Sequence, residues 1–120
     1  MKRNILLFII LISAASINAQ TNHPTIVIET NYGVMKAVLY DDTPVHSNHY
    51  LKLIKDGYFD GTLFHRVINN FMIQGGAQDS RNAPPGFEIG SGRRDMDLMP
   101  EFRENRYHKK GALAAPRRGD

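Results

Sequence analysis

The 120-residue chain contains no cysteine, so thiol nucleophiles, thiolate metal sites and disulfides are excluded and histidine, arginine and the carboxylates are left to do any chemistry. Among its five histidines, His46 and His49 stand three apart, a spacing that can set two ligands on one face of a helix. With no third histidine or carboxylate beside them, neither a metal nor any other cofactor is expected. Gly90-Ser91-Gly92 is too short to cradle a phosphate and follows no clear strand. Arg66 lies in a strand-like run, where an arginine is ordinarily a solvated side chain. Phe71 and Met72 read as core residues by type, and Gln74 as a polar strand position. Residue type alone assigns these side chains no reaction.

The elements that must position them follow from the local pattern. Thr25–Thr30 and Val34–Tyr40 are two strand-like runs, and Asn31-Tyr32-Gly33 between them reads as a hairpin turn. Thr43 can cap a helix whose first turn accepts Pro44; the helix runs to Lys55, with Tyr50, Leu53 and Ile54 on one face and Gly57 placed to end it. Thr62–Ile68 and Phe71–Gln74 predict two more strands around the turn signal Asn69-Asn70. Simple alternation then sets Phe64 and Arg66 on one face and His65 on the other. From Gly75 to about Pro100 the chain has no period and reads as a long ordered loop. Glu101–Arg106 predicts one short turn, and Gly111–Ala115 a final buried strand.

Lys2 and Arg3, the apolar run Ile5–Ile12 and the small residues up to Ala19 have the order of a secretory signal peptide. The run is shorter than the roughly 20 apolar residues that a membrane span needs. The expected organisation is a signal over 1–19 and one partial domain over 20–120. The product is expected to be exported, periplasmic or secreted, monomeric, and without stable membrane insertion once the signal is removed. The formal charge of +3 counts Lys2 and Arg3; without them, 13 basic side chains face 12 acidic ones. Nucleic acid is therefore not an expected partner, and Arg93-Arg94, Lys109-Lys110 and Arg117-Arg118 read as solvated charge. With 42% apolar and 22% charged residues the composition is that of an ordinary globular protein.

Phe64 to Gly76 reads FHRVINNFMIQGG, which closely resembles the signature of the cyclophilin family. Tyr58-Phe59-Asp60-Gly61-Thr62 upstream and Lys110-Gly111-Ala112-Leu113-Ala114 downstream match it in the family's order. The resemblance implies a mainly β fold, a cyclophilin-like closed antiparallel β-barrel with capping helices, here incomplete at the C-terminus. It implies a peptidyl-prolyl cis/trans isomerase with Arg66 as the catalytic arginine. Phe71 and Met72 would receive the prolyl ring, and Gln74 would bond substrate backbone and help to orient the arginine. His65 stays open between a contact on the groove side and a hydrogen-bonded structural histidine. Pro116 and Arg117 fall where the family lines its groove with an Ala-Asn pair, so both are departures at substrate-binding positions. Ala77 replaces a frequent acidic residue.

The chemistry suits these residue types. An X-Pro bond isomerises slowly because amide resonance imposes a barrier of ~20 kcal/mol. No covalent bond has to break, and a guanidinium beside the prolyl nitrogen can donate to its lone pair only in the twisted state. Two functions follow from the resemblance. One is a foldase acting on proline-containing segments of unfolded or exported proteins; the other is a proline-peptide-binding chaperone or interaction module with little turnover. As the remaining barrel strands and groove residues lie beyond this chain in the family pattern, the 120-residue chain alone is expected to be unstable and poorly active.

Overall fold

A computed structural model describes residues 23–90 and 98–116. The described residues are mainly strands with one helix: β1 (Thr25–Thr30), β2 (Gly33–Val38), α1 (Pro44–Lys55), β3 (Phe64–Ile68) and β4 (Met72–Gly75), followed by a 3-10 turn at Gln78–Ser80. The proposed signal over 1–19 and Arg117 lie outside the described residues.

The β-branched run of β1 pairs antiparallel with β2, from Thr25 opposite Val38 to Thr30 opposite Gly33. Asn31 and Tyr32 form the two-residue turn, and the positive φ beside it, +137°, falls at Gly33, the first residue of β2. Thr30 secures the turn, since its Oγ1 donates to the Gly33 carbonyl at 2.8 Å and accepts from Tyr32 N–H at 3.1 Å. Ile26 and, just past β2, Leu39 are the buried apolar side chains of the described region.

Thr43 stands at the N-cap of α1 and Pro44 in its first turn, as expected, but the Thr43 side chain does not cap the helix and its Oγ1 donates instead to the Tyr40 carbonyl at 3.4 Å. The helix ends as expected. Gly57 has φ +67°, its N–H donates to the Ile54 carbonyl at 3.0 Å, and Tyr58 N–H donates to the Leu53 carbonyl at 2.9 Å. These are the two bonds of a Schellman motif. Of the predicted apolar face, Tyr50 and Leu53 are half-buried and Ile54 is exposed. The Tyr50 ring meets Phe59 at 4.8 Å between centroids.

The second hairpin pairs β3 with β4 antiparallel. Asn70, at φ +56°, takes the left-handed conformation in its turn, and Phe71 N–H donates to the Ile68 carbonyl at 3.1 Å. Phe71 therefore belongs to the turn, and β4 starts one residue later than the sequence pattern suggested. Of the long loop expected after β4, the described part up to Gly90 is held by side-chain hydrogen bonds, and residues 91–97 lie outside the described residues. The Gln78 side-chain amide donates to the Tyr58 carbonyl, and the Arg81 guanidinium donates to the carbonyls of Gly57 at 2.8 Å and Tyr58 at 2.6 Å. Ser80, fully buried, accepts from Leu63 N–H at 3.0 Å and donates to the Ala77 carbonyl.

The expected turn within Glu101–Arg106 is present, closed by Arg106 N–H on the Arg103 carbonyl at 3.0 Å. The expected strand at Gly111–Ala115 is not formed. That stretch is irregular and exposed, because among the described residues the strands pair only as β1 with β2 and β3 with β4. Between the two hairpins lies an open cavity of about 510 Å³, lined in part by Tyr32, Met35, Leu63, Phe64 and Ile73.

Candidate functional site

The register of the second hairpin decides which side chains share a face. Arg66 stands opposite Gln74 and Ile68 opposite Met72. Cross-strand partners and alternate residues point the same way, so Arg66, Ile68, Met72 and Gln74 form one surface. Arg66 Nη1 donates to Gln74 Oε1 at 3.4 Å, a long bond at an exposed position. Such a bond orients the guanidinium weakly and leaves its other N–H groups available. Phe71, 76% exposed, lies in the turn next to Met72. Met72 and Gln74 are half-buried.

Simple alternation fails just upstream of Arg66. Phe64 pairs with Gly75 while Arg66 pairs with Gln74, so one strand carries an extra residue there, His65. Because Gly75 and Gln74 are consecutive, Phe64 and Arg66 lie on opposite faces, contrary to the expectation from spacing. Phe64 instead joins Ile73 in lining the cavity between the hairpins. Its ring covers Gly75, where a Cβ would come within 2.8 Å of it.

His65 is half-buried, and its ring lies against Gly90, whose notional Cβ would be 2.6 Å from Cδ2. Its Nδ1 is buried without a hydrogen-bond partner among the described residues. The ring thus packs against backbone, but the hydrogen bond expected of a structural histidine is not present at Nδ1 among the described residues. Pro116 is exposed in the irregular stretch that ends the described region. The hairpin thus brings Arg66, Met72 and Gln74 onto one face, with Phe71 exposed in its turn, whereas Pro116 stands outside both sheets.

The comparisons bear on what this surface belongs to. A family model described as cyclophilin type peptidyl-prolyl cis-trans isomerase/CLD matches residues 25–120. The chain belongs to the cyclophilin family. A Streptococcus pyogenes protein whose name pairs a phosphatase with a peptidyl-prolyl cis-trans isomerase is 40% identical over 101 residues, covering 82% of this chain and 20% of that protein. A Staphylococcus epidermidis protein named for the same isomerase is 35% identical over 101 residues, or 83% of this chain and 49% of the relative. A peptidyl-prolyl cis-trans isomerase of Synechococcus elongatus is 38% identical over 65 residues, covering 52% of this chain and 45% of its own length. The chain therefore spans half or less of the length of these cyclophilin relatives. No solved structure gives a significant match.

Sequence reading missed the residues that hold the elements around the surface. Glu101 accepts from the N–H groups of Val45 at 3.0 Å and His46 at 2.8 Å, and its Oε2 lies 2.6 Å from His46 Nδ1. Burial alone would raise the Glu101 carboxyl. The bonds from the His46 backbone and ring and from the Val45 backbone outweigh this and hold it below the ordinary carboxylate value. A carboxylate does then approach His46, but among the described residues no group of three or more His, Cys, Asp or Glu side chains could hold a metal ion. A second tie comes from Arg106. Its Nε reaches the two Asp42 carboxylate oxygens at 3.2 and 3.0 Å, and its guanidinium lies 3.5 Å over the Tyr40 ring. One signal for the first tie was visible, since the first turn of α1 contains no acidic residue to face its free N–H groups.

Proposed function

We propose that this protein catalyses cis/trans isomerisation of X-Pro bonds in peptide segments, without a covalent intermediate, at the Arg66 face of the second hairpin. The observation that carries the reading is the register that sets Arg66 opposite Gln74 and on the same surface as Met72. It places a charged hydrogen-bond donor beside an apolar side chain, the pair of properties that a twisted prolyl amide needs. The prolyl ring rests against Met72 and Phe71 while the preceding carbonyl turns. The guanidinium donates to the nitrogen lone pair as conjugation is lost, an interaction absent from the planar ground state. Gln74 takes substrate backbone and restrains the arginine. Family membership over residues 25–120 and the isomerase names of relatives support the same reading.

One preorganised charged donor is typically worth about 3–4 kcal/mol in such a transition state. Arg66→Ala should therefore lower the isomerisation rate of a proline peptide by about 10²- to 10³-fold. Equal turnover by wild type and Arg66→Ala would reject the enzyme reading and leave a proline-peptide-binding module. In this proposal the finer architecture is a closed antiparallel barrel. The charged, apolar and small-residue order of residues 1–19 supports export, with clients among unfolded periplasmic or secreted proteins. Detection of the mature protein outside the cytoplasm with a new N-terminus near Gln20 is the expected result; retention of Met1 in the cytoplasm would refute export.

A further inference from the structure

The extra residue in β3 is a geometric necessity, because the two ends of the strand are fixed independently. Downstream, the turn closed by Phe71 N–H on the Ile68 carbonyl sets Ile68 against Met72 and thereby Arg66 against Gln74. Upstream, Leu63 N–H is tied to the buried Ser80 hydroxyl at 3.0 Å, and the Phe64 ring is seated over Gly75. These anchors differ by one residue, and His65 takes it up. A one-residue slip would send side chains to the opposite face. Whatever holds His65 in the bulge therefore holds Arg66 on its surface.

What holds His65 is the backbone of Gly90. The imidazole lies so close to it that a Cβ at Gly90 would stand 2.6 Å from Cδ2 and 2.9 Å from Nε2, and Gly90 adopts φ +91°. Gly90 is itself clasped, since its N–H is shared between the two oxygens of Asp79 at 3.1 and 3.0 Å. Asp79 has a firm base. Its neighbours Gln78, Ser80 and Arg81 bind the Tyr58, Ala77 and Gly57 carbonyls, and Ser80 also binds Leu63 N–H. A charged acceptor on a backbone N–H is among the stronger hydrogen bonds available.

We infer that Asp79 is a positioning residue for Arg66, acting through its clasp on Gly90, the Gly90–His65 contact and the bulge between Phe64 and Arg66. The inference rests on the isomerase reading of Arg66 given above. Asp79 touches no reacting atom; it fixes the loop that keeps the extra residue in place.

The test uses the full chain, isotope-labelled, with the variants Asp79→Ala, Asp79→Asn and Arg66→Ala. The readouts are the isomerisation rate of a proline peptide at saturation, its KM, and the side-chain resonances of Arg66 and Gln74. Asp79→Ala should lower kcat by about tenfold, within the roughly 10²-fold that misplacing a catalytic group can cost, with KM little changed and with both resonances shifted. Asp79→Asn keeps one carbonyl acceptor for Gly90 N–H and should give a smaller kcat loss and smaller shifts in the same direction. Unmoved Arg66 and Gln74 resonances overturn the inference, as does unchanged kcat. Should Asp79→Ala fail to fold, the same criteria apply to Asp79→Asn. The two readings fail differently: if Arg66→Ala leaves turnover unchanged, the isomerase reading falls while the resonances still decide the clasp.

Discussion

Glu101 and His46 are 55 residues apart in sequence, yet Glu101 Oε2 accepts from the His46 backbone N–H at 2.8 Å and lies 2.6 Å from its ring Nδ1. The folded state holds the Glu101 carboxyl below its ordinary value of 4.5, so folding favours the ionised form. That contribution is complete above 4.5 and is lost as pH falls through the lower folded-state value. Amide hydrogen exchange of Val45 and His46 should therefore lose protection as pH falls below 4.5 and through the lower folded-state value, beyond the change at other helix amides. Glu101→Gln should remove most of that dependence and start from lower protection, since its amide NH₂ cannot accept. A wild-type profile that matches Glu101→Gln would refute this account.

Arg66→Lys keeps the charge but replaces a planar fork by a compact ammonium with no second N–H group fixed in plane. The isomerisation rate should fall by about tenfold or more, less than for Arg66→Ala. Gln74→Ala should act mainly on KM, since its bond to the guanidinium is long at 3.4 Å. A larger kcat loss for Gln74→Ala than for Arg66→Lys would reverse the assigned roles.

Ser80 is the fully buried polar side chain of the described region, and its hydroxyl serves both Leu63 N–H and the Ala77 carbonyl. Ser80→Ala leaves both backbone groups without that partner, which should cost about 1–3 kcal/mol. Chemical denaturation would measure it, and a change within a few tenths of a kcal/mol would contradict the assigned bridge.

Gly75→Ala should also destabilise, by about 1–3 kcal/mol, because the new methyl would meet the Phe64 ring at 2.8 Å and the Leu63 carbonyl oxygen at 3.2 Å. Phe64→Leu in the same chain should recover part of the loss. Additive losses in the double variant would show that the ring is not the obstacle.

How much of this was legible in the sequence depended on whether the determinant was local. The helix from Pro44 to Lys55 and its end at Gly57 follow from proline and glycine chemistry that acts within a few residues. The Asn69-Asn70 turn marked the second hairpin for the same reason, and the FHRVINNFMIQGG segment identified the family because its signature is continuous. The face of Phe64 was misread because the bulge at His65 is imposed by anchors at Ser80 and at the turn, which alternation does not register. Gly111–Ala115 has the composition of a buried strand, but a strand also needs a partner, and none pairs with it among the described residues. Glu101 and Asp79 escaped notice because a carboxylate that binds distant backbone N–H groups has no sequence spacing to reveal it.

The exposure of apolar side chains yields a further expectation. Val67 is 67% exposed and Ile73 52%, and they pair across the β3–β4 hairpin on the face away from Arg66. Contiguous apolar surface of this kind marks sites of association. In contrast to the monomer expected from the sequence, the 120-residue chain should bind a hydrophobic dye strongly and self-associate as concentration rises. Negligible dye binding with a concentration-independent monomer by ultracentrifugation would contradict this.

The tie between Glu101 and α1 also has a consequence for the order of folding events. The Thr43 side chain makes no bond to the opening turn of the helix, and the carboxylate that does lies more than fifty residues further along the chain. A helix of 12 residues is marginal on its own, so its leading amides are sealed only once that distant segment has docked.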